Sequence, residues 1–204
     1  MNLRPCPWWL SAALALVVAL MGPQARADEA PDALIRRVVN EAIESARGGV
    51  TDAPHIAALV DATIMPNVDF ARMTAAAVGR AWRQATPEQQ ERLQDEFKAL
   101  LVRTYAGALA QVKDQTVTVK PLRAAPADGD VVVRTLVKGG GDPIQVDYRL
   151  EKASGAWKIV DFNVMGVWLV EAYRGQFAAE IGAHGVDGLI AALASRRSVV
   201  ATTR

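Results

Sequence analysis

Apolar positions along the chain follow two rhythms, and the two meet at Gly166. From Trp157 to Val164 the side chains alternate, with Lys158, Val160, Phe162 and Val164 on one face and Trp157, Ile159, Asp161 and Asn163 on the other. A period of two predicts a strand. Past the glycine the period lengthens: Val170, Tyr173, Phe177 and Ile181 recur at steps of three or four, while Glu171 and Arg174 share the remaining face at a spacing that lets them pair. That predicts a helix able to fold back over the sheet.

Upstream, Leu34, Val38, Val39, Ala42 and Ile43 mark one face of a helix within Asp28 to Arg47, closed by Gly48-Gly49. Asp52 offers an N-cap for a short helix through Ile56, Leu59 and Val60, which breaks at Met65-Pro66. Phe70, Met73 and Ala77 give a third short helix before Gly79. Thr86-Pro87-Glu88-Gln89 then combines an N-cap threonine, proline at the first helical position and a glutamine placed to close a capping box. The long helix that follows carries Leu93, Phe97, Leu100, Leu101, Tyr105, Leu109 and Val112 on one stripe, and is expected to end near Val112.

Beyond Lys113 the period returns to two. Strands are expected over Thr116 to Leu122, Val131 to Val137, Ile144 to Leu150 and Trp157 to Val164. The links between them, Ala125-Pro126-Ala127-Asp128-Gly129, Gly139-Gly140-Gly141-Asp142 and Ser154-Gly155, are short and turn-rich. Such links imply an antiparallel meander, so the expected fold is α+β: a curved antiparallel four-stranded sheet wrapped by helices. After Gly182 and Gly185 a short helix covers Leu189, Ile190 and Leu193, and residues 195–204 are expected to form a disordered tail.

The first 27 residues change how the composition is read. Arg4, an apolar run from Leu10 to Met21 and Ala25-Arg26-Ala27 make the three parts of a secretory signal peptide, with the mature chain starting at Asp28. The run falls short of the roughly 20 residues that span a bilayer. Cys6 precedes it, which is the wrong side for a lipoprotein cysteine. Cleavage removes Arg4 and Arg26 and no acidic residue, turning a net charge of +1 into −1. No basic field is left to hold nucleic acid, and no cysteine to form a disulfide. Residues 28–194 are expected to make one domain in an exported, soluble protein.

Catalytic chemistry finds little support. His55 and His184 are the only histidines, one opening a helix and the other lying between Gly182 and Gly185, and both suit exposed polar positions. No zinc-ligand spacing, nucleophile elbow or phosphate-cradling loop occurs, so neither metal nor cofactor is expected. Two functional classes remain. One is a binding module with an apolar cavity between the sheet and the long helix, lined by Leu101, Tyr105, Val146, Tyr148, Val160, Phe162 and Val164, with Val170 and Tyr173 joining from the last helix. The other is a cavity enzyme with Asp147 or Asp161 as general base. Strand parity turns both carboxylates away from the apolar face, toward solvent or an edge.

Three blocks carry a family resemblance. WKIVDFNVMGVWLVEAYRGQF from Trp157, DFARMTAAAVGRAWRQATPEQQERLQDEFKALLVRTYAGAL from Asp69, and GVDGLIAAL from Gly185 occur in the order found in the MlaC, or toluene-tolerance, family. The resemblance implies a fold related to the nuclear transport factor 2 (NTF2-like) type with an internal apolar cavity. It also implies a periplasmic carrier, an auxiliary component of an ABC transport system, that binds phospholipid acyl chains. Its implied partners are phospholipid, an outer-membrane lipoprotein-porin complex and an inner-membrane ABC transporter with its substrate-binding hexamer, and the implied role is upkeep of outer-membrane lipid asymmetry. A related subgroup handles hopanoids, which leaves the identity of the lipid open.

Overall fold

The computed structural model describes residues 29–48, 52–110, 114–122, 129–139 and 141–201. The proposed signal peptide therefore lies outside the described residues. Helix α1 (Pro31–Arg47) starts with proline in its first turn and buries Leu34, Ile35, Val38 and Ile43. Asp52 caps α2 (Ala53–Leu59) by accepting the His55 amide at 3.0 Å, and the chain then tightens through a π turn and a 3₁₀ turn to Asn67. Helix α3 (Phe70–Val78) is capped by Asp69. It stops at Gly79, whose φ of 71° few other residues adopt. The capping box before α4 (Pro87–Ala110) forms as the sequence predicts: the Gln89 amide donates to Thr86 Oγ1 at 3.2 Å and the Thr86 amide to Gln89 Oε1 at 3.0 Å. At 1.5 Å per residue α4 is about 36 Å long. Its expected end at Val112 lies outside the described residues.

Strands β1 (Thr116–Val119), β2 (Asp130–Lys138), β3 (Ile144–Ala153) and β4 (Ala156–Val164) form the expected antiparallel meander, and a two-residue β5 (Val167–Trp168) adds a fifth strand. The pairing of Arg149 with Asp161 and of Leu150 with Ile159 leaves Val160 as an extra residue in β4. This bulge breaks the alternation read from the sequence. Phe162 and Val164 share their face with Ile159 and Trp157, opposite Tyr148, Val146, Leu150 and Lys152.

Two buried clusters hold the molecule. In one, Leu34, Ile35 and Val38 of α1 pack with Val68 against Val133, Leu150, Trp157 and Ile159 of the sheet. In the other, α3, α4 and α5 (Leu169–Ala201) meet around Met73, Leu93, Phe97, Phe177 and Ile190. Phe70 and Phe162 touch both. The ring of Phe97 lies 5.7, 5.1 and 5.2 Å from those of Phe70, Tyr173 and Phe177. Helix α5 bends at Gly185 (φ 72°), where the sequence places a break, and continues past Ser195 to Ala201. By length and composition Leu169–Ser195 could cross a membrane. Here Val170, Phe177, Leu189, Ile190 and Leu193 face the core, while only 22% of the most apolar stretch of the helix is buried.

Candidate functional site

The sheet's inner face is assembled by register. Val131, Val133, Thr135 and Val137 of β2 stand opposite Leu150, Tyr148, Val146 and Ile144 of β3, and Val146 and Tyr148 in turn stand opposite Val164 and Phe162 of β4. One end of this face is sealed, since Val133, Leu150, Trp157 and Ile159 are buried beneath α1. At the other end Val137, Ile144, Val146 and Val164 stay half-buried. Helix α4 shows the same grading: Leu93, Phe97 and Leu100 are buried, but from Leu101 to Ala108 every residue is half-buried or exposed.

The nine residues expected to line a cavity therefore separate. Leu101, Tyr105 and Tyr173 pack half-buried at the margin of the helical cluster, joined there by Phe162. Tyr148 and Phe162 meet edge to face at 5.7 Å on the sheet, and Val146 and Val164 form the half-open cross-strand pair beyond them. Val170 is a fully packed member of the helical core. Val160, sitting in the bulge, is buried and does not continue the Phe162 and Val164 face. Val137 and Ile144 belong to the half-open end and were missed, although Ile144 shares the phase of Val146 and Tyr148.

At its half-open end, around Val137, Ile144, Val146 and Val164, the face is apolar and carries no charged side chain. Burial pushes the Tyr148 hydroxyl up to about 12, with Thr135 pulling it down and Asp147 pushing it up by lesser amounts. Burial likewise raises Tyr105, and Tyr173 nearby adds to the effect. Both phenols stay neutral at physiological pH. A cleft of about 170 Å³ between the second half of α1 (Asn40, Glu44, Arg47) and the start of β1 (Thr116, with Gln115 just before it) is polar and smaller than the roughly 300 Å³ of a typical ligand pocket. Among the described residues no group of three His, Cys, Asp or Glu is placed to hold a metal ion.

Asp147 and Asp161 correct the sequence reading. They do lie on the face opposite Tyr148 and Phe162, but neither faces solvent: they are 6% and 3% exposed. Around Asp161 the cover comes from the start of α5, whose Val170 amide it accepts, and from Arg149 stacked on Trp168 of β5. Asp161 Oδ1 accepts the amides of Phe162 at 2.8 Å and Val170 at 3.1 Å, so this strand carboxylate caps the N-terminus of α5. Burial raises its pKa, while those two amides, Arg149 and Arg174 act to lower it. Arg149 lies 4.0 Å from Oδ2 and stacks over the Trp168 ring at 4.4 Å. Asp147 Oδ2 accepts from Gln145 Nε2 at 2.9 Å. A general base serving the apolar face would have to stand on that face, and neither carboxylate does.

Comparison with known proteins gives this arrangement a context. The family model described as MlaC protein matches residues 34–195. A phospholipid-binding protein from Ralstonia solanacearum, solved in complex with a phospholipid, is 45% identical and superposes with a TM-score of 0.80, over 86% of this chain and 100% of that one. The toluene tolerance protein ttg2D of Pseudomonas putida is 34% identical over 105 residues, 52% of this chain and about half (49%) of the relative's length. The intermembrane phospholipid transport system binding protein MlaC of Haemophilus influenzae is 20% identical over 90% of this chain and 89% of its own length.

Proposed function

The chain belongs to the MlaC family, and from that membership we propose that it is a periplasmic carrier that holds phospholipid acyl chains against the half-open end of its inner face. Cleaved after Ala27, it would receive and deliver lipid between an outer-membrane lipoprotein-porin complex and an inner-membrane ABC transporter with its substrate-binding hexamer, and so help maintain outer-membrane asymmetry. The observation that carries this reading is the likeness, at 45% identity over most of the chain, to a protein solved with a phospholipid bound. The half-buried set Leu101, Tyr105, Tyr148, Phe162, Val146, Val164 and Tyr173 supports it, as side chains that the protein's own packing covers only in part.

The energetics favour a shielded route. Exposing two acyl chains of about 15 methylenes each, at about 0.8 kcal/mol per CH₂, costs about 24 kcal/mol, which makes free diffusion of the lipid negligible. Passing the chains from bilayer to an apolar face exchanges one apolar surrounding for another, so the net preference can stay small enough for release. Mass spectrometry of an organic extract of protein purified from the periplasm tests the reading. Phospholipid in near-stoichiometric amount is expected; a hopanoid in its place would change the cargo, and an extract without lipid would end the carrier reading.

A further inference from the structure

The tight turn between β4 and β5 presents the two large apolar side chains that stand out among the described residues, Met165 at 73% and Val167 at 54% exposure. The turn is braced from behind. The Met165 amide donates to the Gln145 carbonyl at 3.0 Å, and the Gly166 amide to Oδ1 of the buried Asn163 at 2.9 Å. Met165 holds a φ of 53°, a region that non-glycine residues rarely occupy. Two apolar side chains are thus held out in water on a fixed backbone, which leaves little ordering cost for docking. The position also matters. Val167 pairs with Val164, and Val164 with Val146, so the tip forms the lip of the half-open end of the inner face. Next to it, Trp168 is half-buried beneath the guanidinium of Arg149.

Two kinds of surface could receive such a tip, a bilayer or a protein. Charge decides between them. Lys138 and Asp142 at the neighbouring hairpin, Glu171 and Arg174 at the start of α5, and Arg149 with Asp161 4.0 Å away balance in sign, so the basic cluster that draws a protein to anionic lipid is lacking around the tip. Two side chains also offer too little apolar area to hold a bilayer alone. A preformed pocket on a protein desolvates both side chains at once, and Met, Trp and Arg are residues that protein interfaces favour. On the premise that the chain is the carrier described above, we propose that Met165 and Val167, flanked by the Arg149 and Trp168 pair, dock into a preformed apolar pocket on a receptor protein and so present the open end of the inner face to it.

The test uses the full-length protein and the double variant Met165→Ser/Val167→Ser, whose changes lie in solvent. The variant is expected to keep the wild-type lipid content and thermal midpoint, and to restore detergent resistance to a strain lacking the gene at least about tenfold less well. A photo-crosslinking residue at Val167 of the otherwise wild-type protein is expected to give a discrete membrane-protein adduct in cells, one that excess wild-type protein suppresses and excess double variant does not. Full rescue by the double variant would overturn the proposal. So would flotation of wild-type protein with phosphatidylethanolamine and phosphatidylglycerol vesicles that disappears in the double variant, since the tip would then be a bilayer contact. Lipid content of the wild type judges the carrier reading and the crosslink competition judges the tip, so the two fail separately.

Discussion

The two halves of α4 carry the same apolar stripe and meet different fates. Toward the N-terminus, Leu93 and Phe97 vanish into the helical core, where Phe97 is ringed by Phe70, Tyr173 and Phe177. Toward the C-terminus, Leu101 and Tyr105 continue the stripe at helical spacing with no fully buried residue as far as Ala108. The difference lies in what the tertiary structure brings against each half. Leu93, Phe97 and Leu100 are buried in the helical cluster, whereas Leu101 and Tyr105 pack only partly against it, and among the described residues α4 packs chiefly on α5, α2 and α3 rather than on the sheet. Apolar periodicity marks a face that must be covered, and says nothing of whether protein or ligand covers it.

The strongest way to break the comparison is to truncate one residue from each half. Phe97→Ala is expected to lower the unfolding free energy of lipid-free protein by about 3–5 kcal/mol, as large core cavities do. Tyr105→Ala, with fewer contacts to lose, should cost about 1 kcal/mol or less. Urea denaturation of delipidated protein checks both. Equal losses would mean that the second half is ordinary core and that cargo binds elsewhere.

Much of the helical architecture was legible in the sequence, because its signals are local. Asp52, the Thr86 to Gln89 box and Gly79 act within three or four residues of themselves, and the structure makes the contacts they announce. The bulge at Val160 was not legible. It depends on how β4 is paired with β3, and one extra residue moved Ile159 and Trp157 onto the face assigned to Val160. The burial of Asp147 and Asp161 was hidden for a related reason: parity gave their face correctly, but tertiary contacts, such as the start of α5 over Asp161, determine whether that face is wet. A carboxylate that reads as a surface residue or a base is, in the fold, the cap of a helix nine residues further on.

A smaller effect sharpens the contrast from the opposite face. Asp161→Ala removes the acceptor for the Val170 amide and should cost about 1–2 kcal/mol, while Asp161→Asn keeps an acceptor and should cost less. Their pH dependence has a definite sign. Because burial raises the folded-state pKa above the ordinary value of 3.8, the favourable contribution of this titration is complete below that value and is lost as pH rises through the folded pKa. On acidification the wild type should therefore gain stability relative to Asp161→Asn, read as the difference between their urea midpoints at neutral pH and near pH 4. A constant difference would mean that Asp161 titrates as it does in the unfolded chain.

Native mass spectrometry of wild type, Tyr105→Arg and Val146→Arg purified from the periplasm bears most directly on the claim that the second half of α4 and the open end of the sheet hold the cargo. A charge set among acyl chains loses solvation that the chains cannot replace, whereas in the lipid-free protein a half-buried position still lets it reach water. The expected spectra show a phospholipid-sized mass addition on the wild type and none on either variant, with thermal midpoints of the lipid-free proteins close together. Lipid retained on both folded variants, or midpoints that fall as far as that of Phe97→Ala, would contradict it.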